Sequence, residues 1–397
     1  MSSFTLPKHL ELGADSIQEL GRLVQELQGE HIFVIMDSFL ASSTMQYKKK
    51  IQNIAKENSL QCTVFSDYQG EPTTDHVKAA LNRLNKVGAD CVIAIGGGST
   101  IDLGKAVAVF GYSQDTSYGD IPFQLKVQRL PLLTIPSTAG TGSEATKVMV
   151  ITDSITSIKM NPGHKDLVPD GAILDPNLSK SLPKSITAYT GLDALTHAME
   201  AYVSNRANEV SDHFAITAMK LIGEALPRAY EEAEDMEART NMLLGSWYAG
   251  IAFSNSSTNL AHAAGRALGA NFHVPHGLSV ALLLPYVMEF GLEVATDRYA
   301  KIATVLGEEN HHDKTYLANS AVVRIKQFND RFHIFEDGLK FINIEELEAN
   351  ISNLADKALS GNGIQTNRKI PTKQDVEDVF VALLEKLKET KLVRTSR

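Results

Sequence analysis

Cysteine is scarce, with only Cys62 and Cys91 in 397 residues. The two stand far apart in apolar segments and form no Cys-x-x-Cys pair. That argues against a disulfide framework and a cysteine zinc site, and leaves reduced structural thiols. Basic charge is also short. Lys and Arg number 38 against 47 Asp and Glu, a net −9 spread along the chain, and the cationic cluster Lys48-Lys49-Lys50 is a short helix-face run. Nucleic-acid binding leaves a basic footprint, so none is expected. No apolar run reaches the roughly 20 residues that span a bilayer. Met1 to Gly13 has no basic start followed by an apolar stretch, so no secretory signal is read and the expected compartment is the cytoplasm. Internal repeats and low-complexity tracts are missing as well.

What is present is an ordinary globular balance, 43% apolar and 21% charged, over a length that suggests two domains. The first half alternates β-rich runs with helical stretches. His31 to Met36, Cys62 to Phe65, Cys91 to Ile95 and Leu132 to Ile135 read as strands, with helices around Ser43 to Asn58 and Thr74 to Val87. This alternation predicts parallel βαβ units in an open sheet. Lys147 to Val150 looks like a strand; Met149 to Ile151 and Ala172 to Leu174 read as further short strands. After Asp175-Pro176 the spacing turns helical, with breaks expected at Pro183, Pro227, Pro275, Pro285 and Pro371, and Gly361-Asn362-Gly363 opens a surface loop before a last helix. The expected architecture is a dinucleotide-binding α/β domain with a parallel sheet over residues 1–180. An all-helical metal-binding and catalytic domain follows over 181–397.

Gly96-Gly97-Gly98-Ser99 lies where a strand ends and a helix begins. Glycines there let a phosphate approach the backbone, and the first amides of the helix face it; a plain flexible turn looks the same. Asp102 and Lys105 follow on that helix, and Lys105 either reaches a phosphate or lies on a solvated face. Ser137 to Ser143 forms a second polar, Gly-rich loop suited to a pyrophosphate or ribose. Gly140 to Ala145 matches G-x-G-x-x-A by letter, but the following residues lack the helix that this fingerprint requires. Asp37, just past the first of these strands, suits the adenine-ribose hydroxyls and repels a 2′-phosphate; the plainer alternative is a helix-capping Asp.

The sharpest feature is Asp193-Ala-Leu-Thr-His197, which places a carboxylate and an imidazole on one helix face. His262 sits in an apparent helix over Ala261 to Ala270, and His276 in the Pro275-His276-Gly277 turn. One Asp and three His would make a site for a divalent ion between iron(II) and zinc in preference. Spacing alone does not unite residues scattered over this length.

Six stretches together resemble the iron-dependent (group III) alcohol dehydrogenases over essentially the whole chain. They are AIGGGSTIDLGKAVAV (94–109), PSTAGTGSEAT (136–146), LDPNLSKSLP (174–183), TGLDALTHAMEAYVS (190–204), NLAHAAGRALG (259–269) and VPHGLSVALLLPYVMEF (274–290). The resemblance implies the dehydroquinate synthase-like fold of that family, with Asp193, His197, His262 and His276 as metal ligands and catalytic residues. It also carries dinucleotide contacts onto Asp37, Gly97, Gly98, Ser99, Asp102, Thr138, Thr141 and Lys159, and a substrate wall onto Phe253. Many relatives have a second histidine one turn after the third ligand, where this chain has Arg266; His273 is a candidate substitute.

The implied reaction is hydride transfer between NAD(H) and a small primary alcohol or aldehyde with Fe2+, or alternatively Zn2+, as Lewis acid. The chain is expected to work as a homo-oligomer, a dimer. If Arg266 enters the substrate side, an anionic aldehyde such as sulfoacetaldehyde, phosphonoacetaldehyde or a semialdehyde carboxylate becomes the substrate. An NAD- and metal-dependent cyclase of the dehydroquinate synthase type is the alternative of another class, disfavoured by the DALTHA and PHG segments. A catalytically dead binding module is disfavoured because all four ligand positions are filled. Medium-chain zinc enzymes need cysteine ligands, and the short-chain enzymes need a tyrosine followed four residues later by lysine; the sequence has neither.

Overall fold

The computed structural model describes residues 4–395 apart from 43, 114 and 115. The chain divides into two compact units, Met1–Ser181 and Leu182–Arg397.

The strands of the first unit are β1 (His9–Leu12), β2 (His31–Met36), β3 (Gln61–Phe65), β4 (Cys91–Gly96), β5 (Leu132–Pro136), β6 (Ile151–Thr152), β7 (Lys159–Met160) and β8 (Gly171–Leu174). Its helices are α1 (Leu20–Glu26), α2 (Ser38–Ala41), α3 (Tyr47–Glu57), α4 (Thr74–Val87) and α5 (Gly98–Tyr112). Six strands form one sheet in the order β1-β8-β5-β4-β2-β3, while β6 and β7 pair separately. Every pairing in the large sheet is parallel. Parallel strands are covered on both faces, which is why β2 and β4 read as unbroken apolar runs. Alternation along β2 sends Phe33 and Ile35 into one core with Leu103 and Val107. It sends Ile32, Val34 and Met36 into the other core with Ile93 and Ile135.

The chain runs from β2 outward to β3 and then crosses back to place β4 on the other side of β2. The order therefore reverses between β2 and β4. Ligands of open parallel sheets sit beyond the carboxyl ends of the strands at such a reversal, and Asp37 and Gly97 follow those two strand ends.

Two sequence expectations change here, and two strands come without one. The helix expected from Ser43 starts at Tyr47, and Ser43 itself lies outside the described residues. The strand expected at Lys147 to Val150 is a single bridge between Val148 and Gly163. The edge strand β1 and the short β7 were not anticipated; both are brief and partly exposed.

The second unit consists of α6 (Lys184–Val203), α7 (Glu209–Glu231), α8 (Met236–Ser254), α9 (Leu260–Phe272), α10 (His276–Gly291), α11 (Thr296–Val305), α12 (Lys314–Arg331), α13 (Ile334–Gly338), α14 (Ile344–Leu359) and α15 (Lys373–Thr395). Residues 278–288 of α10 are buried without a break, as are 191–203 of α6. Helices buried all round form the centre of such a unit. Pro183 and Pro275 are the N-caps of α6 and α10, but Pro227 lies inside α7 and Pro285 inside α10. These two prolines do not break their helices, because tertiary packing outweighs the local cost of about 3 kcal/mol. His276 likewise opens α10 instead of sitting in a turn. No helix among the described residues is long and apolar enough to cross a membrane.

Candidate active site

The expected four-residue spacing on α6 puts Asp193 and His197 on one face, with His197 Nδ1 4.0 Å from Asp193 Oδ2. From α9, His262 brings Nε2 to 3.4 Å from Asp193 Oδ1; from the start of α10, His276 brings Nε2 to 3.7 Å from the same oxygen. Donor atoms of Asp193, His262 and His276 all lie within 4.8 Å of one another. His197 stands beside this trio, its ring stacked between His262 at 4.1 Å and Phe253 at 4.3 Å, centroid to centroid.

The residues fit a divalent ion on two counts. Asp193 Oδ1 and His262 Nε2 are buried and make no hydrogen bond, although they face each other. Two ligands each about 2.1 Å from a tetrahedral ion stand about 3.4 Å apart, which is the separation found here. The second count is charge. Burial alone would raise the Asp193 carboxyl, but His197, His276 and His262 outweigh it and hold the group well below its ordinary range. Burial opposes a charge on His262, yet Glu200 and Asp193 raise it to about 9. Two buried carboxylates thus demand positive charge, and a divalent cation meets that demand without a proton.

Two contributors were missed from sequence. Glu200 Oε2 accepts from His262 Nδ1 at 2.6 Å. Its position, three residues after His197 on the same helix, was the available signal. Gly277 is the other. A Cβ there would lie 2.4 Å from the Tyr189 carbonyl oxygen of α6, so glycine alone lets the first turn of α10 close onto the helix carrying Asp193.

In the first unit, the loops after β4 and β5 lie side by side, with Ser137 N donating to Gly96 O at 2.9 Å. A Cβ on Gly98 would fall 2.6 Å from the Thr141 side chain, whereas one on Gly97 would meet nothing nearer than 3.6 Å, at Thr138. Gly98 is therefore required by packing, while a side chain at Gly97 would meet Thr138 only at ordinary van der Waals distance. Ser99 lies in the first turn of α5. After Gly142 the chain makes one short turn over Ser143–Ala145 and no α-helix, so the G-x-G-x-x-A match has no structural counterpart.

Several polar residues of this unit are engaged internally. Asp37 caps α2 by accepting from Phe39 N at 2.8 Å. Asp102 accepts from Ser143 Oγ at 2.5 Å and from Val150 N at 2.9 Å. Lys159 pairs with Glu71 at 2.6 Å. Lys105 corrects both readings made of it, since it neither lies on a solvated face nor points at a phosphate. It is fully buried, and its Nζ donates to Thr146 O, Thr146 Oγ1 and Val148 O at 3.0, 2.9 and 2.6 Å. The last of these bonds takes up a carbonyl of the segment that reads as a strand in the sequence.

Arg266 lies one turn after His262, and its Nη2 donates to the carbonyl of Asn362 at 2.5 Å. The partner is the backbone of the Gly361–Gly363 turn, not a carboxylate. His273 is exposed and ends α9 in the left-handed conformation, with φ of 54°.

Comparison with known proteins gives a match to each of the two units. The model of the iron-containing alcohol dehydrogenases covers residues 7–176, and that of the C-terminal region of the Fe-containing alcohol dehydrogenase family covers 187–384. A probable alcohol dehydrogenase of Escherichia coli, EutG, is 39% identical over 79% of this chain and 79% of its own length. The NAD-dependent methanol dehydrogenase of Bacillus methanolicus is 32% identical over 96% of this chain and 99% of its own. The solved alcohol dehydrogenase from Oenococcus oeni superposes with a TM-score of 0.91 at 28% identity, covering 96% of this chain and 100% of that one. The chain belongs to the iron-containing alcohol dehydrogenase family. It is an oxidoreductase acting on alcohols and aldehydes.

Proposed function

We propose that this alcohol dehydrogenase interconverts a small, uncharged primary alcohol and its aldehyde with NAD(H), using iron(II) or zinc held by Asp193, His197, His262 and His276. The observation that carries the reading is the trio of donors from Asp193, His262 and His276, with two buried atoms lacking hydrogen bonds. When bound, the metal supplies Lewis acidity at the substrate oxygen and the nicotinamide exchanges the hydride. The chain's own residues do the rest. Asp193 supplies the negative charge that the ion neutralises, and Glu200 orients His262. Phe253, stacked on His197, offers an apolar wall next to the donors.

In the first unit, Gly97, Gly98 and Ser99 with Thr138 and Thr141 would receive the dinucleotide phosphates, aided by Asp102 through Ser143 and by Lys159. Asp37 would face the adenine ribose. Two like charges about 4 Å apart at an effective dielectric near 20 cost about 4 kcal/mol, so NAD(H) should be preferred over NADP(H) by up to roughly a thousand-fold. The bond from Arg266 to Asn362 favours an anchoring role for that side chain, hence the uncharged substrate. A homodimer is part of the proposal, supported by the open outer edge of β1. So is the cytoplasm, where free Cys62 and Cys91 stay reduced.

The test strips metal with a chelator, restores Fe2+ or Zn2+, and follows NADH oxidation with propanal and with an anionic aldehyde of similar size. His262→Ala should lose both metal and turnover. Full activity in a chelated His262→Ala enzyme would sink the metal assignment; preference for NADPH, or for the anionic aldehyde, would overturn the coenzyme or substrate assignment. Light scattering checks the dimer.

A further inference from the structure

We propose that Glu200 is the positioning residue that makes His262 a metal ligand, and that it does so as part of a cap which α6 places on the first turn of α9. The proposal rests on the metal-site reading above. Asp193, His197 and Glu200 follow one another at four and then three residues on α6, which aligns them on a single helix face. The first two face the donor cluster. The third reaches the helix that carries the next ligand.

Glu200 is only 3% exposed, and both of its oxygens are engaged. Oε2 accepts from Asn259 N at 2.8 Å and from His262 Nδ1 at 2.6 Å, and Oε1 accepts from Ala261 N at 2.6 Å. A helix start leaves its first amides without partners, and the residue preceding the helix usually supplies the acceptor from its own side chain. Asn259 occupies that position in α9 but makes no such bond. Its Nδ2 instead donates to the Glu200 carbonyl at 3.0 Å. Most of the cap of α9 therefore comes across space from α6, with Leu260 N donating to Asn367 Oδ1 at 3.2 Å, and one of the three groups that Glu200 receives is a ligand's ring nitrogen.

This arrangement decides which nitrogen of His262 can bind a metal. With both Glu200 oxygens accepting backbone N–H groups, the carboxylate offers the ring an acceptor, so Nδ1 must carry the hydrogen. A neutral imidazole has one N–H. Nε2, which faces Asp193 Oδ1 at 3.4 Å, is then left with its lone pair. A carboxylate behind a ligating histidine both fixes the tautomer and raises the basicity of the ligand.

The experiment compares Glu200→Gln, Glu200→Ala, His262→Ala and unaltered protein by three readouts. These are Zn2+ affinity by chelator competition, the 15N spectrum of the His262 ring with Zn2+ bound, and thermal unfolding of the metal-free proteins. Glu200→Gln keeps one acceptor oxygen but turns its NH2 group on at least one of the three N–H donors, so it should melt earlier than the unaltered protein, though by less than Glu200→Ala. The Zn2+ affinity of Glu200→Gln should also fall roughly 10- to 100-fold, and in the Zn2+-loaded protein its His262 should lose the signal of an Nδ1–H bonded to a carboxylate. Glu200→Ala should lose at least as much affinity and also melt earlier. Unchanged affinity and an unchanged ring spectrum in Glu200→Gln would overturn the proposal. Earlier melting with unchanged affinity in both Glu200 variants would also overturn it, leaving a cap alone. If His262→Ala binds Zn2+ as tightly as the unaltered protein, the metal-site reading itself falls; if only the Glu200 variants do, the reading stands without this role.

Discussion

In the α/β unit, Asp37, Asp102, Lys105 and Thr141 hydrogen-bond to backbone nearby in the same unit. In the helical unit, Asp193 and His262 keep buried atoms that bond to nothing around them. The first set shapes loops so that backbone amides and small residues line the ends of β4 and β5. The second set is held ready for something the polypeptide does not provide. Recognition of a phosphate by amides asks side chains to stabilise a loop; coordination asks them to remain uncommitted and to accept instability in exchange.

Paired substitutions should break this contrast most visibly. His276→Ala removes a side chain that is 44% exposed but helps hold the buried Asp193 charge, so the metal-free protein should lose only about 1 kcal/mol of stability. Turnover should nevertheless fall by roughly a thousand-fold or more if the ion is lost. Lys105→Met should do the reverse. It strands Asp102 and the Thr146 and Val148 carbonyls in the interior, costing about 3–5 kcal/mol in urea unfolding, while metal affinity stays unchanged. Loss of metal in Lys105→Met would show the two sets to be interdependent.

A smaller effect concerns Glu144, in the same loop and 1% exposed. Burial raises its carboxyl from 4.5 to about 7, against the pull of Lys105 and with a contribution from Asp102. The folded protein therefore keeps a proton that the unfolded chain releases, and stability falls as pH rises from about 4.5 through 7. Glu144→Gln should remove that slope and gain about 3 kcal/mol above pH 7 relative to the original. Parallel pH profiles would refute it. The smallest change is expected for Arg266→Ala, about 1 kcal/mol from the lost bond to Asn362, with propanal kinetics nearly unaltered. A selective loss on an anionic aldehyde would return Arg266 to the substrate.

The strands β2, β4 and β5 were legible because burial on both faces leaves an almost unbroken apolar run, interrupted within β5 only by the buried Thr134. β1 was not, since an edge strand of four partly exposed residues carries no such pattern. Asp193 and His197 were readable as a helical pair, but their convergence with His262 and His276 depends on how α6, α9 and α10 pack, which only the resemblance supplied in advance. Lys105 misled because a lysine is almost never fully buried. Two of its three hydrogen-bond partners are backbone carbonyls, which leave no mark in a sequence. Glu200 escaped notice for the same reason, as two of its three donors are amides. Pro227 and Pro285 show the limit of local rules when a helix is held from outside.

Gly277 bears on how such a site survives change. Where side chains separate two helices, their spacing drifts whenever one is exchanged for a larger or smaller neighbour. Between α10 and α6 there is no such spacer, because the backbone at Gly277 closes directly onto the Tyr189 carbonyl, with Asp193 Cβ 3.4 Å from where a side chain would begin. The His276 backbone is thus set by a mechanical stop against the helix that bears Asp193. The surrounding core can exchange its leucines and valines over generations while the gauge between these two ligands keeps its setting, and only the torsions of the His276 ring remain free to tune it.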